Sequence, residues 1–92
     1  MLLALTKIEE RHDAEVPNNT IVGDVRHGKI SDVSRLPRVG SSFVITYNDR
    51  FGGRQTSIVT DIIEEWDGVQ MMFRTLNSVY KLKLLKEGDL NV

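Results

Sequence analysis

The sequence predicts an all-β chain, a small antiparallel barrel or β-roll of five to six strands, with a short N-terminal helix left open for the first fifteen residues. Three observations carry that reading. Residues 55–85 are rich in β-branched and aromatic residues and alternate with period two. The pairs Asp67-Gly68 and Asn77-Ser78 interrupt them as tight-turn signals. At 92 residues the chain has room for one thin core and a single domain over 1–92.

The elements follow in chain order. In residues 1–15, Leu2, Leu5 and Ile8 suit a helix face, whereas Leu3 with Leu5 suits a strand. Residues 20–25 and 29–33 are expected to pair as a hairpin across His27-Gly28. A helical turn competes there, because Ile30, Val33 and Leu36 recur every third residue. Residues 42–47 read as a strand entered through Pro37 and Gly40. A loop over 48–54 leads to a long strand over 55–66. Its faces are ambiguous, with Ile58 and Ile62 on one side and Val59 and Ile63 on the other. Either both faces are covered or a β-bulge shifts the register midway. Asp67-Gly68 is expected to form a type I′ turn into a strand over 69–76, and Asn77 a left-handed turn into a strand over 79–85. Period two makes Met71, Phe73, Tyr80, Leu82 and Leu84 core candidates and turns Arg74, Lys81 and Lys83 to water.

Composition excludes several classes of function. Cysteine is absent, so disulfides and Cys-based zinc sites are out. Twelve basic and thirteen acidic residues leave a net charge of −1, unlike a general nucleic-acid coat. Charge is also balanced between the halves, so any electrostatic function must come from local patches. The N-terminal apolar stretch is too short for a signal sequence, no run approaches a membrane span, and a cytoplasmic location is expected. Asn18-Asn19-Thr20 matches a glycosylation sequon and carries little weight without a secretory signal.

Few residues point to chemistry. Asp61, Glu64, Glu65 and Asp67 crowd one hairpin, where a cation or an acid/base pair is conceivable. A solvated strand end explains them more simply. Zinc needs three or more protein ligands, and His12 and His27 are the only histidines, so no metal is expected. No G-x-S-x-G elbow or phosphate loop is present. No cofactor and no enzymatic activity are expected. The segment Arg50, Phe51, Gly52, Gly53, Arg54 is the strongest candidate binding site. Glycines allow close backbone approach, arginine forks bind phosphate or carboxylate, and Phe51 offers a stacking face. The alternative is a plain turn with Phe51 tucked onto the barrel. Arg26, Lys29, Arg35 and Arg38 form a second basic cluster opposed only by Asp32. If both clusters share one barrel end, they make a single positive rim.

Thr56-Ser57-x-Val59, followed by Phe73-x-Thr75-x-Asn77-Ser78-x-Tyr80-x-Leu82, resembles a pattern in small, largely uncharacterised all-β proteins of tailed phages and bacteria. Val39-Gly40-x-x-Phe43 fits the same pattern, so the resemblance covers residues 39–84. It implies a phage or bacterial cytoplasmic protein and no familiar enzyme class. The leading expectation is a non-catalytic binding module acting as a homo-oligomer. Its partner would be a protein or a small nucleotide, and inhibition of a host defence or regulatory factor is the concrete form of that idea. Val79, Met72 and Trp66 are then expected as exposed interface. The alternative is a nucleic-acid-binding β-barrel using its arginine-bearing loops. No membrane partner is expected.

Overall fold

Among the described residues every strand is antiparallel to its neighbours, and the last pairs with the first, so the sheet closes on itself. The computed structural model describes residues 1–10, 22–48 and 50–85. The strands are β1 (Leu2–Glu10), β2 (Val25–Lys29), β3 (Ser42–Tyr47), β4 (Gly53–Glu64), β5 (Gln70–Thr75) and β6 (Ser78–Leu84). They follow one another around the barrel in sequence order. Closure satisfies the backbone groups that an open six-stranded sheet would leave on its two edges.

The N-terminal segment is a strand, not a helix, over residues 2–10. It lies between β2 and β6, and its partners on both sides fix it as extended: Leu3 faces Gly28 on one side and Leu84 on the other. Leu3, Leu5 and Lys7 point inward with period two. Residues 11–15 and His12 lie outside the described residues.

The expected hairpin across His27-Gly28 does not form. Both residues lie within β2, which pairs with β1 and β3. Gly28 is buried, and a Cβ there would run into the Ile45 side chain and the Thr46 carbonyl oxygen. The glycine provides room and makes no turn. After β2 comes a 3₁₀ turn over Val33–Arg35, the helical alternative for that segment. Asp32 caps the turn by accepting a hydrogen bond from Ser34 N at 2.8 Å. Residues 20 and 21, the start of the expected first hairpin strand, lie outside the description.

β3 spans 42–47, as its sequence predicts. β4 starts at Gly53 and ends at Glu64, two residues earlier at each end than expected. Register shifts between Val59 and Asp61 and between Ile62 and Glu64 resolve its two-faced pattern. These β-bulges bring Val59 and Ile62 to the core although they are three residues apart, and leave Ile58 and Ile63 outside.

The two turns form by means other than those expected. The described residues contain no non-glycine residue at positive φ. Gly68 alone takes it in this turn, at 96°, and Asp67 precedes the turn. Asp67 N donates to Gln70 O at 3.2 Å, so Gly68 and Val69 lie at the tip between them. The Asp67 carboxylate accepts from Val69 N and Gln70 N, both at 2.8 Å. The Asn77-Ser78 turn is held by a hydroxyl. Thr75 Oγ1 accepts from Asn77 N at 3.3 Å and Ser78 N at 3.1 Å, and donates to Ser78 O at 3.2 Å.

Leu3, Leu5, Ile30, Phe43, Ile45, Val59, Met71, Phe73, Tyr80 and Leu82 fill the barrel. Phe73 sits at its centre, edge-on to Phe43 at 5.7 Å and stacked on Tyr80 at 5.5 Å between ring centroids. Four of the five expected core residues are buried, and Leu84 packs partly buried against them. Among the described residues, no helix is long and apolar enough to cross a membrane.

Candidate functional site

The candidate residues hang on the short β2–β3 ladder, which pairs only Gly28 with Tyr47 and Lys29 with Thr46. Beyond Tyr47 the chain turns sharply, with Tyr47 N donating to Gly52 O at 3.0 Å. Asp49 lies outside the described residues. The Arg50 guanidinium sits 4.5 Å from the centroid of the Tyr47 ring, a cation–π contact. Phe51 is fully exposed at 103% of its reference area, so it does not tuck back on the barrel. Gly52 takes a φ of 95° to close the loop.

Gly53 and Arg54 are not loop-tip residues. Both belong to β4. Gly53 pairs with Thr46, and a Cβ there would overlap the Ile45 carbonyl oxygen. Its missing side chain serves close strand approach and not ligand approach. Arg54 is half-buried opposite Ile45. Of the five-residue candidate, Arg50, Phe51 and Gly52 form the loop.

Arg26 meets that loop. Arg26, His27, Val25, Tyr47 and Arg50 line a shallow concavity of about 160 Å³. Arg26 is ion-paired to Asp24 at 2.8 Å. Its Nε is buried with no hydrogen-bond partner among the described residues. Two guanidiniums therefore share this concavity, and among the described residues Asp24 is the carboxylate paired there. Sequence reasoning set His27 aside as a turn residue; its neighbourhood follows from its place in β2.

Lys29 and Arg38 line other concavities than the one Arg26 shares with Arg50. Lys29 and Arg35 line an outer groove of about 530 Å³ with Ile30, Ser31, Ser42, Val44 and Thr46. Arg38 borders a smaller adjoining concavity, which Arg35 also lines. Its Nη2 donates to Ser34 O at a long 3.5 Å. Asp32, the one acid of this segment, is engaged by Ser34 through both its N and its Oγ. The Ser34 hydroxyl, then the Ser34 amide, hold its carboxyl below the ordinary range. Arg35 and Ser42 line both concavities.

The acidic hairpin carries structural tasks. Asp61 pairs with Arg74 at 3.4 Å. Asp67 caps its turn, and the amides of Gln70 and Val69 hold its carboxyl below the ordinary range. Among the described residues, no three His, Asp or Glu side chains are grouped to hold a metal ion. Lys7 was not singled out by sequence, yet its side chain is wholly buried, with Glu10 at 3.6 Å. The signal was its place on the inward period of Leu3 and Leu5.

The expected interface residues are not exposed. Val79 is buried, Trp66 packs partly buried on the core and Met72 is half-buried. The exposed apolar residues include Val39, Val44, Ile58 and Leu76. The resembling motif is itself structural. Thr56 Oγ1 accepts from Phe43 N at 3.0 Å and donates to Ser57 O, and Ser57 Oγ accepts from Asn77 N at 3.2 Å. With Thr75, these hydroxyls tie the ends of β3, β4 and β5 together. Comparisons with known proteins return no match among family models, curated proteins or solved structures.

Proposed function

We propose that this chain is a non-catalytic binding module that works as a homo-oligomer and contacts its partner through the β3–β4 loop. The observation that carries this is Phe51, wholly in solvent beside the Arg50–Tyr47 stack and the Arg26 concavity. Aromatic and arginine side chains dominate binding energy at protein interfaces. An unburied phenylalanine on a short loop gains nothing for the fold and is available to a partner. The phage and bacterial resemblance makes that partner a host defence or regulatory factor, which the module inhibits by occupying it. Exposed Val39, Ile58 and Leu76 supply apolar surface for self-association.

Native mass spectrometry of protein purified from cells tests both halves. The expected result is a multiple of the single-chain mass, carrying extra mass from a bound partner. That extra mass is lost from an Arg50→Ala/Phe51→Ala variant of unchanged melting temperature. A bare single chain in both proteins overturns the reading.

The alternative is a nucleic-acid-binding barrel, favoured by Tyr47, Arg50 and Phe51 lying together. Such a set can stack bases while Arg26 holds a phosphate. Binding of a short single strand would then weaken steeply with salt, because each phosphate contact releases counterions. Fluorescence titration at two salt concentrations measures it, and no binding at low salt removes this alternative.

A further inference from the structure

We infer that the open edge of β3 takes up an extended acidic segment of another protein as an added strand. This site lies across the β2–β3 ladder from the β3–β4 loop and does not rest on the proposed function.

The argument begins with the backbone. On its β4 side, β3 is paired from Ser42 to Thr46. On its β2 side the ladder stops after Tyr47 and Thr46, because β2 ends at Lys29 and the chain leaves through the 3₁₀ turn. Backbone groups of successive strand residues point to opposite edges. Phe43 N donates to Thr56 Oγ1 and Tyr47 N to Gly52 O, both toward β4. Ser42, Val44 and Thr46 therefore direct their backbone groups toward β2. Thr46 meets Lys29 there, and among the described residues no strand stands opposite Ser42 and Val44 on that side.

That gap is the groove of about 530 Å³. Its length along β3 suits a strand of three or four residues, at about 3.4 Å each. Val44, about half exposed, lines it together with Lys29 and Arg35. Strand addition takes affinity from main-chain hydrogen bonds and specificity from alternate side chains. Here the occupant's alternate residues meet apolar Val44 and the two cations. Asp32, the nearest acid in the segment, is already engaged by Ser34. The charge complement is thus a strand alternating carboxylates with β-branched residues. A second copy is disfavoured. Antiparallel pairing of β3 with itself about Val44 brings two sets of Lys29 and Arg35 together, and like charges facing each other are costly.

The probe is a capped hexapeptide alternating glutamate and valine, titrated into the full chain by isothermal calorimetry and amide NMR at low salt. Binding is expected with shifts centred on Ser42, Val44 and Lys29. It weakens as salt rises and falls roughly ten-fold or more in Lys29→Glu/Arg35→Glu. Val44→Pro removes one edge donor, which an edge strand tolerates, and abolishes binding. If that variant fails to fold, N-methylating alternate peptide amides reads the same bonds from the other partner. One methylation phase must abolish binding and the other spare it. Arg50→Ala/Phe51→Ala leaves the affinity unchanged, which separates this site from the loop. No peptide binding, equal binding of a lysine–valine peptide, or insensitivity to both methylation phases overturns the inference. So does self-association lost in Val44→Pro, which assigns the edge to a second copy.

Discussion

Gly28 and Gly53 flank the same stretch of β3, and each is glycine because the neighbouring chain comes too close for a Cβ. In the sequence both look like punctuation, one for a turn and one for a ligand loop. Residue type alone cannot separate a glycine that turns the chain from one that makes room for it. Gly53→Ala forces a methyl against the Ile45 carbonyl oxygen, so the two strands must part. The expected loss is about 1–3 kcal/mol, the usual cost of overpacking, measured by denaturant unfolding. A neutral Gly53→Ala would mean that the strands separate freely. Phe73 was legible from period two alone. Removing its ring leaves a cavity between Phe43 and Tyr80, and Phe73→Ala is expected to cost about 3–5 kcal/mol. A loss below about 1 kcal/mol would place the ring at the surface. Arg50 and Phe51 were legible as a loop candidate, but their meeting with Arg26 depends on the pairing of Gly28 with Tyr47, a contact between distant parts of the chain.

At the level of elements, β5 and β6 could be read almost to the residue, because period two marks their inward residues, although Val79 is buried against expectation. β2 could not. It is five residues long, carries His27 and Gly28 at its centre, and is held by β1 and β3 more than by its own pattern. The β4–β5 turn shows the same limit in its chemistry: the dipeptide located the turn, while its geometry came from the Asp67 carboxylate and Gly68. That carboxylate gives a pH dependence of known sign. Its folded pKa lies below the ordinary 3.8, so the charged form is favoured by folding. The stabilisation is fully present above 3.8 and is lost as pH falls through the folded value. Replacing Asp67 with Ala removes it. The melting-temperature gap between wild type and Asp67→Ala is expected to be constant from about pH 5 to 7 and to shrink below about pH 4. A gap unchanged down to about pH 2 would show that the amides are held equally well by the protonated acid.

For the whole molecule, closure depends on β1, the least legible element, because it must satisfy β2 on one side and β6 on the other. Its three inward residues, Leu3, Leu5 and Lys7, include a lysine, which hides the period from a reading that scores only apolar positions. Closure also limits what self-association can use. With the sheet joined end to end, two copies meet mainly through side chains on the outer surface. There Val39, Ile58 and Leu76 are each about half exposed. Backbone bonds bring them to one region: Leu76 N donates to Ile58 O, and Gly40, next to Val39, donates to Val59 O. A domain of this size has few sources of burial without disulfide or metal, and a second copy is the cheapest. Light scattering at micromolar concentration is therefore expected to report a dimer or larger species. Ile58→Glu puts a charge in the middle of that region without touching the core, so it should return the protein to a single chain with its circular dichroism unchanged. A wild-type protein that already scatters as a single chain removes self-association from the proposed function. An oligomer that survives Ile58→Glu moves the interface to another face of the barrel.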